Sequence, residues 1–78
     1  MKKESDKRKQ DHHDNSVRKM KKVYEDYVNQ IMSLAYGTYE MGLTSLNRKQ
    51  NNMRDLRKKY PELEKSPWED WRPGMPKP

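Results

Sequence analysis

The residues best suited to metal chemistry are two histidines set between two aspartates, Asp11-His12-His13-Asp14. Imidazole and carboxylate groups bind zinc, but ligand pairs on a helix are usually spaced i, i+4 so that both share one face. These four side chains are adjacent, and no further set of ligands is evident in the sequence. We therefore expect no metal site and no bound cofactor.

Paired carboxylates are the next candidates for chemistry. Glu25-Asp26 and Glu69-Asp70 are sequence neighbours, so on a helix their side chains diverge by ~100° and do not face a common substrate. The chain has no cysteine, and it contains no Gly-rich phosphate loop and no nucleophile elbow. Its 78 residues are few for a walled substrate pocket. The sequence predicts a protein that is not an enzyme.

The composition limits how much of the chain can be buried. Only 29% of the residues are hydrophobic, 38% are charged and there is no phenylalanine. Such a chain has little apolar area to offset its conformational entropy, and without cysteine no disulfide can help. We therefore expect a protein without an independent globular core, whose apolar surface is buried against another molecule.

The charges divide the chain into blocks. Residues 1–22 carry nine basic and four acidic side chains, residues 23–46 carry three acidic and no basic ones, and residues 47–65 carry seven basic and three acidic ones. Residues 1–15 contain no apolar side chain after Met1, which is typical of a solvated segment. We predict a disordered basic arm there.

Apolar side chains from Val17 to Leu63 recur at a helical period. Steps of three and four residues place them on one face of an amphipathic helix. Pro61 must end or disturb this helix, because it lacks an N–H group and clashes with the preceding turn. A helical segment is therefore predicted over residues 16–63.

Residues 42–45 offer a break within this segment. Gly42 suits the left-handed position after a helix, and the hydroxyl side chains two and three residues later suit the next N-cap. A break gives a helical hairpin whose apolar stripes face each other. One straight helix also keeps the stripes together, since Val17 and Leu46 would lie only about 20° apart. The predicted fold class is all-α, as a helical hairpin or one long bent helix.

The tail, residues 64–78, is a different kind of segment. Ser66, Pro67 and Glu69 occupy the N-cap, N1 and N3 positions of a capping box, which predicts a single helical turn. Three prolines and a glycine follow Trp71, so extended structure is expected there.

Trp68 and Trp71 give the clearest indication of a partner, because tryptophan is enriched at interface hot spots. The alternative is that both indoles fold back onto the helix near Tyr60 and Leu63. We predict a protein interface made of the helical stripe and both indoles. Its residues are Val17, Met20, Tyr24, Tyr27, Ile31, Leu34, Leu46, Met53, Leu56, Tyr60, Trp68 and Trp71.

The basic residues support a second hypothesis. The net charge is +6, and contact with phosphate requires clustered Lys and Arg but no fixed spacing. The residues expected to contact phosphate in that case are Arg48, Lys49, Arg54, Arg57, Lys58 and Lys59.

The expected function is that of an accessory or structural subunit that docks on a larger protein or ribonucleoprotein assembly. The alternatives are a small nucleic-acid-binding regulator, dimeric through the stripe, and an inhibitor that occludes a partner's surface. No secretory signal or presequence is recognisable, which favours an intracellular location. Polar residues make residues 28–46 a poor membrane span, so contact with a membrane surface is the membrane hypothesis that remains.

Overall fold

The chain folds into two α-helices and one short 3₁₀ turn. The computed structural model describes the backbone of residues 2–78 and the side chains of residues 13–78. Helix α1 spans Lys2–Ala35, helix α2 spans Leu43–Lys59, and the 3₁₀ turn spans Pro67–Glu69. No strand occurs over residues 2–78, so the predicted all-α class is confirmed. The two helices contact each other, as expected for a helical hairpin.

Helix α1 is continuous because residues 2–35 contain neither glycine nor proline. The sequence predicts a disordered arm over residues 1–15, whereas the helical backbone begins at Lys2. Lys, Arg, Glu and Gln are good helix formers, and they make up half of residues 2–15. Met1 and the side chains before His13 lie outside the described residues. These side chains include Asp11 and His12, two of the four candidate metal ligands.

A glycine in the left-handed conformation ends α1. Gly37 has φ +78°, its N–H donates to the carbonyl of Leu34 at 3.2 Å, and the N–H of Thr38 donates to the carbonyl of Ser33 at 2.9 Å. These two bonds form a Schellman motif, which satisfies carbonyls that the last helical turn leaves open. The break therefore begins at residue 36, and not at 42–45 as predicted.

Gly42 serves the start of α2 and not the end of α1. It is the N-cap, with φ −74° and ψ 164°, and no side chain caps the helix. At the other end the N–H of Tyr60 donates to the carbonyl of Leu56 at 2.8 Å, and Pro61 follows. Proline cannot continue a helix, so the chain turns back toward α1.

The tail closes one side of the hairpin and completes a small core. Its 3₁₀ turn packs against both helices, and the Ser66 hydroxyl caps this turn by accepting a bond from the N–H of Trp68 at 3.2 Å. The buried apolar side chains come from both helices and the tail: Tyr24, Ile31, Leu46, Met53, Leu63, Trp68 and Trp71. The expectation of a chain without its own core is corrected by this cluster, because tryptophans bury 150–250 Å² each.

Candidate functional site

The most elaborate polar cluster surrounds the buried carboxylate of Glu69. Its side chain is 1% exposed. Arg57 donates to both carboxylate oxygens at 2.6 Å, and the Tyr24 hydroxyl donates to Oε2 at 2.8 Å. The same hydroxyl accepts a bond from the N–H of Ser66 at 2.8 Å. Tyr24 therefore connects α1 to the tail at two points, while Arg57 connects α2 to it.

These contacts set the ionisation of the cluster. Burial alone would raise the pKa of Glu69, but the hydrogen bonds from Arg57 and Tyr24, with the charges of Arg57 and Lys65, lower that pKa below its ordinary value. Burial raises the pKa of Tyr24, and its bond to Glu69 adds to the increase. An ionised carboxylate enclosed by a bidentate guanidinium and a neutral phenol is a structural arrangement, because its hydrogen-bonding capacity is used within the chain.

A second set of ion pairs holds the turn from its outer side. Arg54 donates to Oδ1 of Asp70 at 3.1 Å and to the carbonyl of Glu69 at 3.3 Å. Lys65 lies 2.6 Å from Oδ2 of Asp70. The hydrogen bonds from Lys65 and Arg54 lower the pKa of Asp70 below its ordinary value. The side chains in these pairs are between 38% and 53% exposed, so each pair adds little stability on its own.

Gln50 fixes the backbone between the two tryptophans. Its amide is 1% exposed and donates to the carbonyl of Trp68 at 3.3 Å and to that of Trp71 at 2.5 Å. Both indoles are buried, at 6% and 5% exposure, with ring centroids 5.5 Å apart. The assignment of Trp68 and Trp71 as anchors on a partner is corrected: the structure turns both inward, the alternative left open from the sequence.

The other predicted interface residues divide by burial. Tyr24, Ile31, Leu46 and Met53 belong to the chain's own core, so their apolar surface is already covered. The remaining six are half-buried: Val17, Met20, Tyr27, Leu34, Leu56 and Tyr60.

The predicted phosphate contacts divide in a similar way. Arg54 and Arg57 are bound to the acidic groups of the tail, so they are not free to contact phosphate in this conformation. The Lys59 ammonium lies 5.8 Å from the Tyr60 ring centroid. Arg48, Lys58 and Lys59 are exposed, and Lys49 is half-buried.

The tail covers one face of the hairpin. The opposite face is formed by the two helices alone. The hydrogen bonds from Gln50, Arg54 and Arg57 to the tail mark the covered side of α2. Asn52, about 160° round the helix from Gln50, donates instead to the Tyr27 hydroxyl at 3.4 Å. This bond joins α2 to α1 on the side away from the tail.

We call the surface around this bond the bare face. Steps of three and four residues from Tyr27 and Asn52 define its members on each helix. On α1 they are Lys19, Met20, Val23, Tyr27 and Gln30; on α2 they are Lys49, Asn52, Leu56 and Lys59. Only the lysines at 19 and 59 are exposed, and the others are half-buried. Water therefore reaches part of every member of the bare face.

The bare face carries positive charge at both ends. The antiparallel helices place Lys19 and Lys59 at one end and Lys49 at the other. Two acidic residues lie in the same rows: Asp55 is three residues after Asn52 and four before Lys59, and Asp26 is three residues after Val23. Apolar and amide groups occupy the middle.

Four large apolar side chains are exposed: Tyr36, Tyr39, Leu43 and Met75. The Lys77 ammonium lies 4.5 Å from the centroid of the Tyr36 ring, which partly covers it. Exposed apolar side chains are common on protein surfaces.

Within the part of the chain that the structure describes, no group of three or more His, Asp or Glu side chains could hold a metal ion. Neither helix, over those same residues, contains a stretch both long and apolar enough to cross a bilayer.

Comparison of the chain with protein-family models, with curated proteins and with solved structures finds no match.

Four of these residues were not predicted from the sequence: Val23, Gln30 and Asn52 of the bare face, and Gln50 of the core. Val23 lies one helical turn before Tyr27, and this second row, offset from the main stripe, is visible in the sequence. Gln50 gives no such sign, because its burial depends on carbonyl groups of the tail 18 and 21 residues away.

Proposed function

We propose that this protein is a non-enzymatic interaction protein, an accessory subunit that docks on a larger protein through the bare face of its hairpin. One observation carries the proposal: the tail supplies a third layer on one side of the two helices, while Val23, Tyr27 and Leu56 stay half-buried on the other. Helical domains are stable when packed layers cover their apolar stripes, and a partner would complete that packing.

A large partner fits this face better than a second copy does. In a symmetric dimer the same patch meets itself, so the lysines of one bare face would lie close to those of the other. Like charges facing one another across an interface are unfavourable. A homodimer through the bare face is therefore disfavoured, and the predicted homodimer gives way to a hetero-complex.

The test is quantitative affinity purification from the native host with a matched pair of variants. Val23→Glu puts a carboxylate on the bare face, and Asn29→Glu puts the same charge at an exposed position of α1 away from it. The proposal expects one specific partner to be recovered with the wild type and with Asn29→Glu, and to be lost with Val23→Glu. Equal recovery with both variants would contradict it, provided that circular dichroism shows both to be folded.

The second candidate function is binding to nucleic acid. It is favoured by Lys19, Lys49 and Lys59 on the bare face and by the exposed Arg48 beside it, since phosphate contact needs clustered cations. Binding to duplex DNA or RNA would then weaken steeply with salt. A reversal of charge at Lys49 would reduce the slope of that dependence by about one.

A further inference from the structure

We propose that this protein has a second, dimeric state formed by exchange between two copies of the chain. In this state residues 36–42 straighten into helix, and the α2 helix and tail of each copy pack on the α1 helix of the other. The inference goes beyond the docking function, and the bare face is not the contact between the copies. It is carried by the residues of the loop that joins the two helices.

This loop carries large apolar side chains that the hairpin does not bury. Tyr36 is 57% exposed, Tyr39 is 47% exposed, and Leu43, the first residue of α2, is 63% exposed. They follow one another at steps of three and four residues, which is the spacing of neighbours on one side of a helix. A turn that only reverses the chain does not require this spacing, whereas a continuous helix from α1 into α2 makes use of it.

The two helices also have the rotational phase that a continuous helix requires. At about 100° per residue, Ile31 of α1 and Met53 of α2 would lie about 40° apart, and both are fully buried in the hairpin. Tyr39 would lie about 20° from Leu46, and Leu43 about 60° from it. Straightening of the loop therefore keeps the buried stripes of both helices on one face and adds Tyr39 to them.

The register of the hairpin predicts what the loop residues would meet. The amide of Asn52 donates to the Tyr27 hydroxyl, so these residues lie at about the same level of the antiparallel pair. Nine residues onward from Tyr27 and nine residues back from Asn52, the residues at one level are Tyr36 and Leu43. Two straightened chains in this register set Tyr36 of each copy level with Leu43 of the other, and the two Tyr39 side chains meet near the two-fold axis.

Exchange preserves the contacts that hold the hairpin together. Each α1 still packs against an α2 and a tail, and the bond from Tyr24 to Glu69 forms between copies instead of within one. Exchange of an identical element is a low-cost route to a dimer for this reason. Gly37, at φ +78°, favours the closed turn. The monomer therefore prevails in dilute solution, and the dimer gains by mass action as the concentration rises.

The experiment is size-exclusion chromatography with light scattering on the full chain, from micromolar to millimolar concentration. The wild type is expected to be monomeric at the lower end and partly dimeric at the upper end. The two forms should separate, since they interconvert only when the hairpin opens. Circular dichroism of the isolated dimer should show more helix per residue than the monomer, because residues 36–42 have joined the two helices.

Two glycine variants form a matched pair. Gly37→Ala strains the closed turn at positive φ and favours helix, so it should lower the dissociation constant of the dimer about tenfold or more. Gly74 also has a positive φ, +97°, and open space around a Cβ atom. It belongs to the tail, however, which has the same conformation in both states. Gly74→Ala should therefore leave the dissociation constant within about twofold.

Glu40→Pro tests the straightened loop from the opposite direction. Glu40 is exposed, and within the described residues its N–H donates no backbone hydrogen bond, so the closed loop does not need that group. Proline in the middle of a continuous helix removes a hydrogen bond and clashes with the preceding turn. This variant should lose the dimer at every concentration and keep the circular dichroism spectrum of the monomer.

Three results would overturn the inference. If both the wild type and Gly37→Ala stay monomeric at millimolar concentration, the loop does not open. Equal tightening by Gly37→Ala and Gly74→Ala would assign the dimer to general destabilisation of the monomer. A dimer that Val23→Glu removes and Glu40→Pro leaves intact would be a contact between two bare faces. The docking function is judged separately, by recovery of the native partner.

Discussion

The side chain on which the tail most depends is Glu69, a carboxylate placed where water hardly reaches it. Burying a charge is unfavourable unless it is paired and hydrogen-bonded. Arg57 and Tyr24 supply that pairing from the two helices. The bonds form only when α1, α2 and the tail are assembled, so Glu69 makes the position of the tail specific.

The pH dependence of stability should therefore include a contribution from Glu69. Because the folded protein lowers the pKa of this carboxyl, protons bind the unfolded chain more readily. The contribution of Glu69 to the free energy of unfolding should be constant above the ordinary glutamate pKa of about 4.3. It should fall as the pH drops through the lower pKa that Glu69 has in the folded protein. Urea denaturation followed by tryptophan fluorescence between about pH 6 and pH 3 measures this change.

The Glu69→Gln variant tests this assignment. At neutral pH it should lose about 1–3 kcal/mol of unfolding free energy, the cost of weakening a buried hydrogen-bonded group. Its decline in acid should be shallower than that of the wild type, with the remainder due to Glu62 and Asp70, whose pKa values are also lowered. Glu64→Gln, at an exposed position, is the control. An unchanged acid decline in Glu69→Gln would contradict the role given to this residue.

At the scale of elements, the hairpin depends on two glycines that have different tasks. Gly37 adopts a positive φ at the end of α1, whereas Gly42 is extended at the start of α2. A Cβ atom at either position would meet nothing within 4 Å. Any difference between the same substitution at the two sites therefore reports backbone conformation, not packing.

Substitution of each glycine by serine should have opposite effects. Gly37→Ser should cost about 1 kcal/mol of unfolding free energy, because a residue with a Cβ atom is strained at positive φ. Gly42→Ser should gain a few tenths of a kcal/mol, because its hydroxyl can cap α2, which has no side-chain cap. Thermal melts followed by circular dichroism measure both. Equal destabilisation by the two variants would show that φ at Gly37 is not the deciding factor.

The elements were predictable to the extent that local chemistry determines them. The helical period indicated both helices, and Pro61 indicated where α2 stops. The glycine that ends α1 was misassigned. Gly37 and Gly42 are five residues apart, and no strong helix breaker separates them. Only the hydrogen bonds of the Schellman motif distinguish them. The direction of the tail depended on contacts with Tyr24 and Gln50, far away in sequence, which no local pattern reveals.

At the scale of the whole molecule, the tail decides how much of the hairpin is covered. Two helices alone cannot enclose a core, and here Trp68 and Trp71 act as the third layer over Ile31 and Met53. The composition predicted a shortage of apolar area. It could not indicate that two indoles would fold back and cover one side of the hairpin.

Removal of the tail should therefore abolish the cooperative fold. A chain that ends at Lys65 loses both indoles and the carboxylate that pairs with Arg57, so the side chains of Ile31, Leu46 and Met53 become open to water. Single truncations of large core side chains already cost about 2–5 kcal/mol, and a small domain has only about 5–15 kcal/mol of stability in total. We expect a broad melt by circular dichroism and increased binding of a hydrophobic dye.

The control is a chain that ends at Met75. It lacks only three exposed residues and should melt within a few degrees of the full-length protein. If the chain that ends at Lys65 instead retains a sharp transition at the same temperature, the helices are stabilised by each other. The indoles are then free to bind a partner.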